Sequence, residues 1–280
     1  MAPETPVLAD VFLDEYSRDD VIAKYLSDTA GTGIAHALTH VYGPIYRKVV
    51  KALVAQRRRG QAFRVLEYGC GGGMNLVKLV DIFREERAEI DRAIGADFSP
   101  RMVEAARQDA AQRLTPQFQQ KIGFAVAANE TLLRDLAKDL GLGDREITNS
   151  FDVVVGVNTF RYCHRLARQV DCARDILSLL RPGGYSIMID MNQQFPLFRS
   201  RLRDVFSGRS KREYYLPSLA EYTEPFACVG FKILERRNFC WFPHSAGPAL
   251  VGLLRVLAPV LDVCVPSFAM RSLVVAQRPS

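Results

Sequence analysis

The densest chemistry in the chain lies in Val65-Leu66-Glu67-Tyr68-Gly69-Cys70-Gly71-Gly72-Gly73-Met74-Asn75. A short apolar run ends on a carboxylate, passes through glycines and gives way to a helical pattern. Glycine allows the left-handed turns such a loop needs and leaves room for a ligand against the backbone. The helix start that follows offers N–H groups with no intrahelical partner. Two ligand classes use loops of this kind. A dinucleotide fingerprint requires G-x-G-x-x-G, and although Gly69 and Gly71 fit, the third position is Met74. A G-x-x-x-x-G-K phosphate loop is absent as well. What stands is E-x-G-x-G-x-G, formed by Glu67, Gly69, Gly71 and Gly73, with Cys70 inside it. A second carboxylate, Asp97, closes the next apolar run in Ala93-Ile94-Gly95-Ala96-Asp97-Phe98-Ser99-Pro100. Ser99 already suits the cap of the helix that Pro100 starts, which leaves Asp97 for a ligand.

Other reactive side chains are scattered. His164 follows Arg161-Tyr162-Cys163 after the fourth apolar run, where a histidine can serve as general base near neutral pH. It is the first candidate, with Tyr162 and His40 behind it; the plain alternative is an exposed loop histidine. His36 and His40 are four residues apart on a helical pattern but lack the glutamate of H-E-x-x-H, so no metal site is expected. Six cysteines form no C-x-x-C pair and no zinc-finger spacing, and read as reduced thiols of a cytoplasmic protein. The basic stretch around Arg199, Arg201, Arg203, Lys211 and Arg212 reads as solvated surface, or as a grip on an anionic ligand.

The surrounding elements follow from periodicity. Helical spacing runs to about residue 57, with Gly43-Pro44 expected to divide two helices. Five short apolar runs then read as strands: Arg64 to Tyr68, Ala93 to Asp97, Ile122 to Ala127, Phe151 to Val157 and Tyr185 to Ile189. Helical patterns separate them, and Arg181-Pro182-Gly183-Gly184 reads as the turn before the fifth. Such alternation implies an α/β fold: a doubly wound, mainly parallel sheet covered on both faces. Beyond Met191 come a helix at Leu216 to Cys228, a strand at Phe231 to Phe239 and a last strand at Ser272 to Ala276. Between those strands lies Ala249 to Val265, apolar on nearly all sides and therefore expected to be buried, as the wall of a pocket that Trp241, Phe242 and His244 also line. Resting on a membrane surface is its alternative. It is too short and too broken by Arg255, Pro259 and Asp262 to span a bilayer. Met1 to Asp10 lacks the basic start and apolar run of a signal peptide. The net charge of +6 demands neither nucleic acid nor lipid as partner.

Glu67 with its glycine loop and Asp97, each at a strand end, resemble the class I S-adenosylmethionine-dependent methyltransferases. The resemblance covers about Phe63 to Met191, and more loosely the rest. It implies a Rossmann-like, seven-stranded sheet whose last two strands form an antiparallel hairpin. It divides the chain into an N-terminal helical lid (1–60), a core binding S-adenosylmethionine (61–191) and an acceptor region that returns the final strands to the same sheet (192–280). By the same resemblance the loop lies under the methionine and ribose, Glu67 supports the cofactor's amino group, and Asp97 accepts from the ribose hydroxyls. Cys70, Phe98 and Met102 border these groups and join the expected set. Asn158, after the fourth strand, is expected to face the sulfonium and the acceptor. Tyr42 and Tyr46 precede the core, where an aromatic ring can also meet the sulfonium. After the third strand the family often places an acid at the adenine; here Ala127-Ala128-Asn129-Glu130 offers Asn129 or Glu130 instead.

The acceptor expected is a small molecule, hydrophobic or anionic, with RNA or protein acceptors as alternatives and a non-catalytic cofactor-binding scaffold as the rival of another class. Nucleic acid is not expected. Asn158-Thr159-Phe160-Arg161 lacks the Asn/Asp-Pro-Pro-aromatic motif of base-amino methylation, and Cys163 lacks the preceding proline of carbon-5 enzymes. Peripheral membrane contact is not expected either.

Overall fold

The computed structural model describes residues 13, 16–26, 32–56, 61–196 and 216–280. The N-terminal decapeptide and the basic stretch at 199–212 lie outside the described residues.

Unbroken runs of Val, Ile and Leu mark strands buried on both faces. Here they give seven strands: β1 (Phe63–Tyr68), β2 (Ile90–Asp97), β3 (Ile122–Val126), β4 (Phe151–Val157), β5 (Leu180–Met191), β6 (Lys232–Phe239) and β7 (Arg271–Gln277). They pair in the order β3-β2-β1-β4-β5-β7-β6. β1 to β5 are parallel, and β7 is antiparallel to both β5 and β6. This is the doubly wound sheet with a terminal hairpin that the sequence implies.

The two-residue period of each strand divides its side chains between two cores. Val65, Val153, Val155, Ile187, Ile189 and Leu273 pack on one face with α3 (Gly43–Gln56) and α4 (Met74–Glu85). Leu66, Val154, Met188 and Val274 pack on the other, against α6 (Leu132–Asp139), α8 (Gln169–Leu179) and α9 (Leu219–Cys228). Between β2 and β3 runs α5 (Pro100–Arg113), and α7 (Phe160–Arg165) follows β4. Each fully buried Val, Leu or Ile contributes about 1.5–3 kcal/mol relative to exposure.

Three expectations change. Gly43-Pro44 does not separate two helices. A short helix α2 (Gly33–His36) continues through a π-helical stretch, Ala37–Tyr42, into α3. Gly43 donates its N–H to the Leu38 carbonyl, so the wider turn absorbs the donor that Pro44 lacks. The Arg181-Pro182-Gly183-Gly184 turn lies inside β5. Leu180 already pairs with Phe151, the intervening residues bulge, and pairing resumes at Tyr185 with Val153. The apolar segment near the C-terminus is a helix, α10 (Pro248–Cys264), but Val251 is its only buried residue. Val251, with half-buried Leu254, Ala258 and Leu261 in line with it, packs the helix against the rest of the molecule along one narrow strip rather than inside a core.

β4 crosses the sheet's centre at Gly156. A Cβ added there would lie 2.4 Å from the Tyr68 ring and 3.0 Å from Met188 Sδ. Gly156→Ala is expected to destabilise the fold by about 1–3 kcal/mol through overpacking. A lowered midpoint in chemical denaturation with an unchanged slope checks this; an unchanged midpoint refutes it.

Candidate active site

β1 and β4 are neighbours, yet their following helices lie on opposite faces: α4 in one core and Phe160 of α7 in the other. Their carboxyl ends therefore open a crevice, the place where open α/β sheets bind ligands.

The glycine loop forms one wall. Gly69, Gly71 and Gly73 have φ of 60°, 51° and 77°, all left-handed. At Gly69 a Cβ would also fall 2.2 Å from Thr159 Oγ1, so only glycine lets the β1 and β4 tips approach. Asp97 forms the hinge between β2 and this loop. Its Oδ2 accepts from Gly71 N–H at 3.0 Å and its Oδ1 from Ser99 N–H at 3.0 Å. At 6% exposure, burial raises its pKa, while the backbone donors from Ser99 and Gly71 oppose the rise. Ser99 caps α5 as expected, accepting from Met102 N–H, and Met102 is buried in the first helical turn.

Glu67 is placed differently from a simple ligand contact. Its Oε2 accepts from Leu76 N–H at 2.8 Å and its Oε1 from Asn75 Nδ2 at 3.0 Å. Gly73 at the N-cap of α4 has no side chain to cap the helix, and Glu67 takes that role from the strand. Tyr46 completes the chain by donating its hydroxyl to Asn75 Oδ1 at 2.9 Å. Burial pushes the Glu67 carboxyl up to about 8. Each oxygen keeps one further acceptor direction.

On the far wall, Asn129 donates Nδ2 to Thr159 Oγ1 at 2.8 Å, while its Oδ1 is buried with no hydrogen-bond partner. Glu130 beside it is half-buried. Asn158 stands at the β4 tip with a left-handed φ of 59° and accepts on Oδ1 from Arg271 Nη1. Next to it, Arg161 pairs with buried Asp190 at 3.2 Å, and its Nη2 donates to the Tyr162 hydroxyl at 2.9 Å. Across the mouth, Tyr16 hydrogen-bonds Tyr162 at 2.8 Å and sets its ring against Phe98 at 5.6 Å.

The sequence candidates thus divide. Glu67, Gly69, Cys70, Gly71, Gly73, Asp97, Phe98, Asn129, Asn158 and Tyr162 gather around the strand ends. His164 does not. Its ring packs on Phe160 and Tyr222, under α9, and burial pushes its pKa down to about 4 against a small rise from Glu221. α7 turns this residue into the core because its period carries Phe160, Cys163 and His164 to one side. His40 is exposed and stands 4.7 Å from His36, in a separate cavity of about 610 Å³ between the N-terminal helices, β6 and α10. Trp241 and Phe242 line that cavity, whereas His244 instead meets the Tyr42 hydroxyl at 3.1 Å. Sequence reading passed over Tyr16, Thr159, Arg161, Asp190 and Arg271. Only Asp190 carried a visible signal, an acid closing the apolar run Ile187-Met188-Ile189.

The donor set suits an adenosyl ligand: two buried carboxylates at adjacent strand tips, a left-handed glycine wall, and an unpartnered carbonyl oxygen on Asn129. Among the described residues no cluster of His, Cys, Asp and Glu has the makings of a metal site.

The profile of a methyltransferase-domain family matches residues 60–224. No curated protein matches the chain by sequence. The CMeT domain of citrinin polyketide synthase superposes with a TM-score of 0.56 at 16% identity, covering 99% of this chain and 58% of that one. CurJ carbon methyltransferase superposes with a TM-score of 0.55 at 15% identity, over 100% and 72%. An S-adenosylmethionine-dependent methyltransferase of Mesorhizobium loti gives a TM-score of 0.50 at 20% identity, over 81% and 96%.

Two expectations follow. Asp97→Ala should weaken binding of S-adenosylhomocysteine by roughly 10- to 100-fold in calorimetry, the scale of one or two charge-assisted hydrogen bonds; undiminished affinity would remove Asp97 from the site. His164 titrates near 6.5 when unfolded and near 4 when folded. The unfolded chain therefore takes up a proton that the folded chain refuses, and the stability His164 provides is lost as pH falls from about 6.5 towards 4. His164→Phe should flatten that part of the stability profile and spare turnover, as read by thermal melts at pH 7 and pH 5.

Proposed function

The chain belongs to the methyltransferase-domain family, and from that premise we propose that it transfers a methyl group from S-adenosylmethionine to a small acceptor with an apolar body and an anionic group. The observation that carries the reading is Asp97, a buried carboxylate fixed by two backbone donors beside a left-handed glycine loop.

When bound, S-adenosylmethionine supplies a methyl already activated on a sulfonium leaving group. The chain's own residues hold and align. Asp97 would hold the ribose hydroxyls, the Gly69–Gly73 backbone and Glu67 with Asn75 would hold the methionine part, and Asn129 Oδ1, buried without a hydrogen-bond partner, would accept from the adenine amino group, with Phe98 beside the ring. Tyr16 closes the mouth and keeps water out. Alignment of this kind contributes up to about 7–11 kcal/mol in the best intramolecular cases.

An acceptor hydroxyl has a proton to lose. The Tyr162 hydroxyl, held by Arg161 and Tyr16, accepts that proton while passing its own to Tyr16, which releases one to solvent. His164 is unsuited to the task because its ring faces the α9 core.

The acceptor's size and charge follow from the cavity beside β6. Its volume of about 610 Å³ lies in the range of small-molecule sites. Phe242 and Trp241 offer aromatic surface there. The two carboxylates on its wall are engaged: Glu235 with Lys48 and Arg237, and Asp262 with the Trp241 indole. Arg255 leaves the lining with one cation in excess. Between the cavity and the crevice, the Cys240 carbonyl accepts from Met270 N–H, and the next residue, Arg271, reaches Asn158.

A panel of aromatic and aliphatic carboxylic or phosphorylated acceptors, read by S-adenosylhomocysteine release, tests the reading. Tyr162→Phe should lower kcat on a hydroxyl acceptor by about 100-fold, the usual scale of proton-transfer catalysis, with cofactor affinity intact. Equal kcat would assign Tyr162 to closure alone.

A further inference from the structure

Arg271 opens β7 at the carboxyl edge of the sheet and is only 4% exposed. The two-residue period sets it on the same face as Leu273 and Val275, the face that carries α3. A guanidinium stays charged in a protein, so its removal from water calls for a counter-charge. Among the described residues no carboxylate lies within ion-pair distance of Arg271. Asp190, which feels both guanidinium groups, is bound to Arg161. The other groups about Arg271 are neutral. Burial raises the pKa of Tyr42 and of Cys240 against an opposing pull from Arg271, so the phenol and the thiol both keep their protons. Met191 and Phe239 are its ladder neighbours. The Nε–H is buried with no acceptor.

The guanidinium reaches across β5 and donates Nη1 to Asn158 Oδ1 at the β4 tip. Arginine has no acceptor, so only the carbonyl end of the Asn158 amide can face it. The Nδ2 donors are therefore the end left over, and among the described residues nothing accepts from them. Asn158 is half-buried and holds its left-handed backbone, a conformation that gathers at functional sites when the residue is not glycine. The pair thus presents N–H donors and an uncompensated positive charge, and no acceptor, beside the crevice. Such a set attracts an ionised oxygen and repels an amine cation. Phe239, next to Arg271 in the ladder, lines the cavity of about 610 Å³.

We propose that Asn158 and Arg271 seat an ionised oxygen of the acceptor, a carboxylate or phenolate carried within a few bonds of the atom that takes the methyl, with the apolar body running past Phe239 into the cavity. The proposal rests on the methyl-transfer reading, in which Asn158 faces the sulfonium.

The full-length chain, saturated with S-adenosylhomocysteine, is titrated calorimetrically with benzoate and benzamide and with hexanoate and hexanamide. The ionisation of 4-nitrophenol on the same complex is followed by the absorbance of its phenolate. At least one carboxylate is expected to bind at least about tenfold more tightly than its amide, the scale of a charge-assisted hydrogen bond, and bound nitrophenol to ionise at a lower pH than free. Arg271→Met should bring the ratio near one and the ionisation back to its free value, and Arg271→Lys should keep part of both. A general loosening of the fold would weaken acid and amide alike and leave the ratio unmoved. The wild-type comparison decides without any variant: if no anion binds better than its neutral counterpart, the proposal is overturned. Weaker S-adenosylhomocysteine binding by Arg271→Met would hand the guanidinium to the cofactor and also overturn it, as would loss of selectivity in Arg255→Gln instead of Arg271→Met. Failure of the wild-type chain to bind S-adenosylhomocysteine, by contrast, strikes the methyl-transfer reading itself.

Discussion

A carboxylate removed from water must be met by hydrogen-bond donors, and much of this site follows from that requirement. Asp97 has no salt bridge among the described residues; two backbone N–H groups meet it instead, one from the glycine loop and one from the start of α5. Each donor belongs to a different connection, so the same pair of bonds that keeps Asp97 buried fixes the β1 loop to the β2 tip. Glu67 repeats the device one strand over, binding Asn75 and Leu76 and so ordering the first turn of α4. The glycines between them adopt left-handed backbone because any side chain there is strained, and at Gly69 it would strike Thr159. The cofactor seat is thus assembled from polar groups that first satisfy one another.

The far side of the crevice is held by a buried ion pair. Arg161 and Asp190 lie at the tips of β4 and β5, and removal of either would leave an uncompensated charge in the core. Burial raises the Asp190 pKa while the Arg161 charge opposes it. The pair orients the Tyr162 hydroxyl, and Tyr16 reaches that hydroxyl from the N-terminal segment. Closure and positioning therefore share one hydroxyl.

α10 obeys a different rule from the rest of the chain. Arg255 and Asp262 line the cavity, while Leu253, Val256, Val260 and Val263 face out. A helix that is apolar on nearly all sides has two physical solutions, burial in a core or contact with an apolar phase, and periodicity does not choose between them. Burial would need protein on every side of the helix. The rest of the molecule meets it along one narrow strip, Val251, Leu254, Ala258 and Leu261.

What the residues determined by themselves was local or periodic. Uninterrupted Val and Ile runs gave the five parallel strands, Ser99-Pro100 gave the start of α5, and a glycine loop between an acid and a helix located the crevice, because each follows from backbone preference within a few residues. The π-helical passage before Pro44 and the bulge inside β5 escaped, since pairing with distant strands and helices overrode turn signals. His164 looked like a base because a histidine after a strand end often borders a crevice, but the rotation of α7 about its own axis, set by packing against α9, carried it into the core. Tyr16, Arg161 and Arg271 meet the site only through contacts with residues far along the chain. Type and spacing thus fixed which groups stand at the strand tips; the packing of whole elements, governed by burial of opposing faces, decided which of the remaining groups reach them.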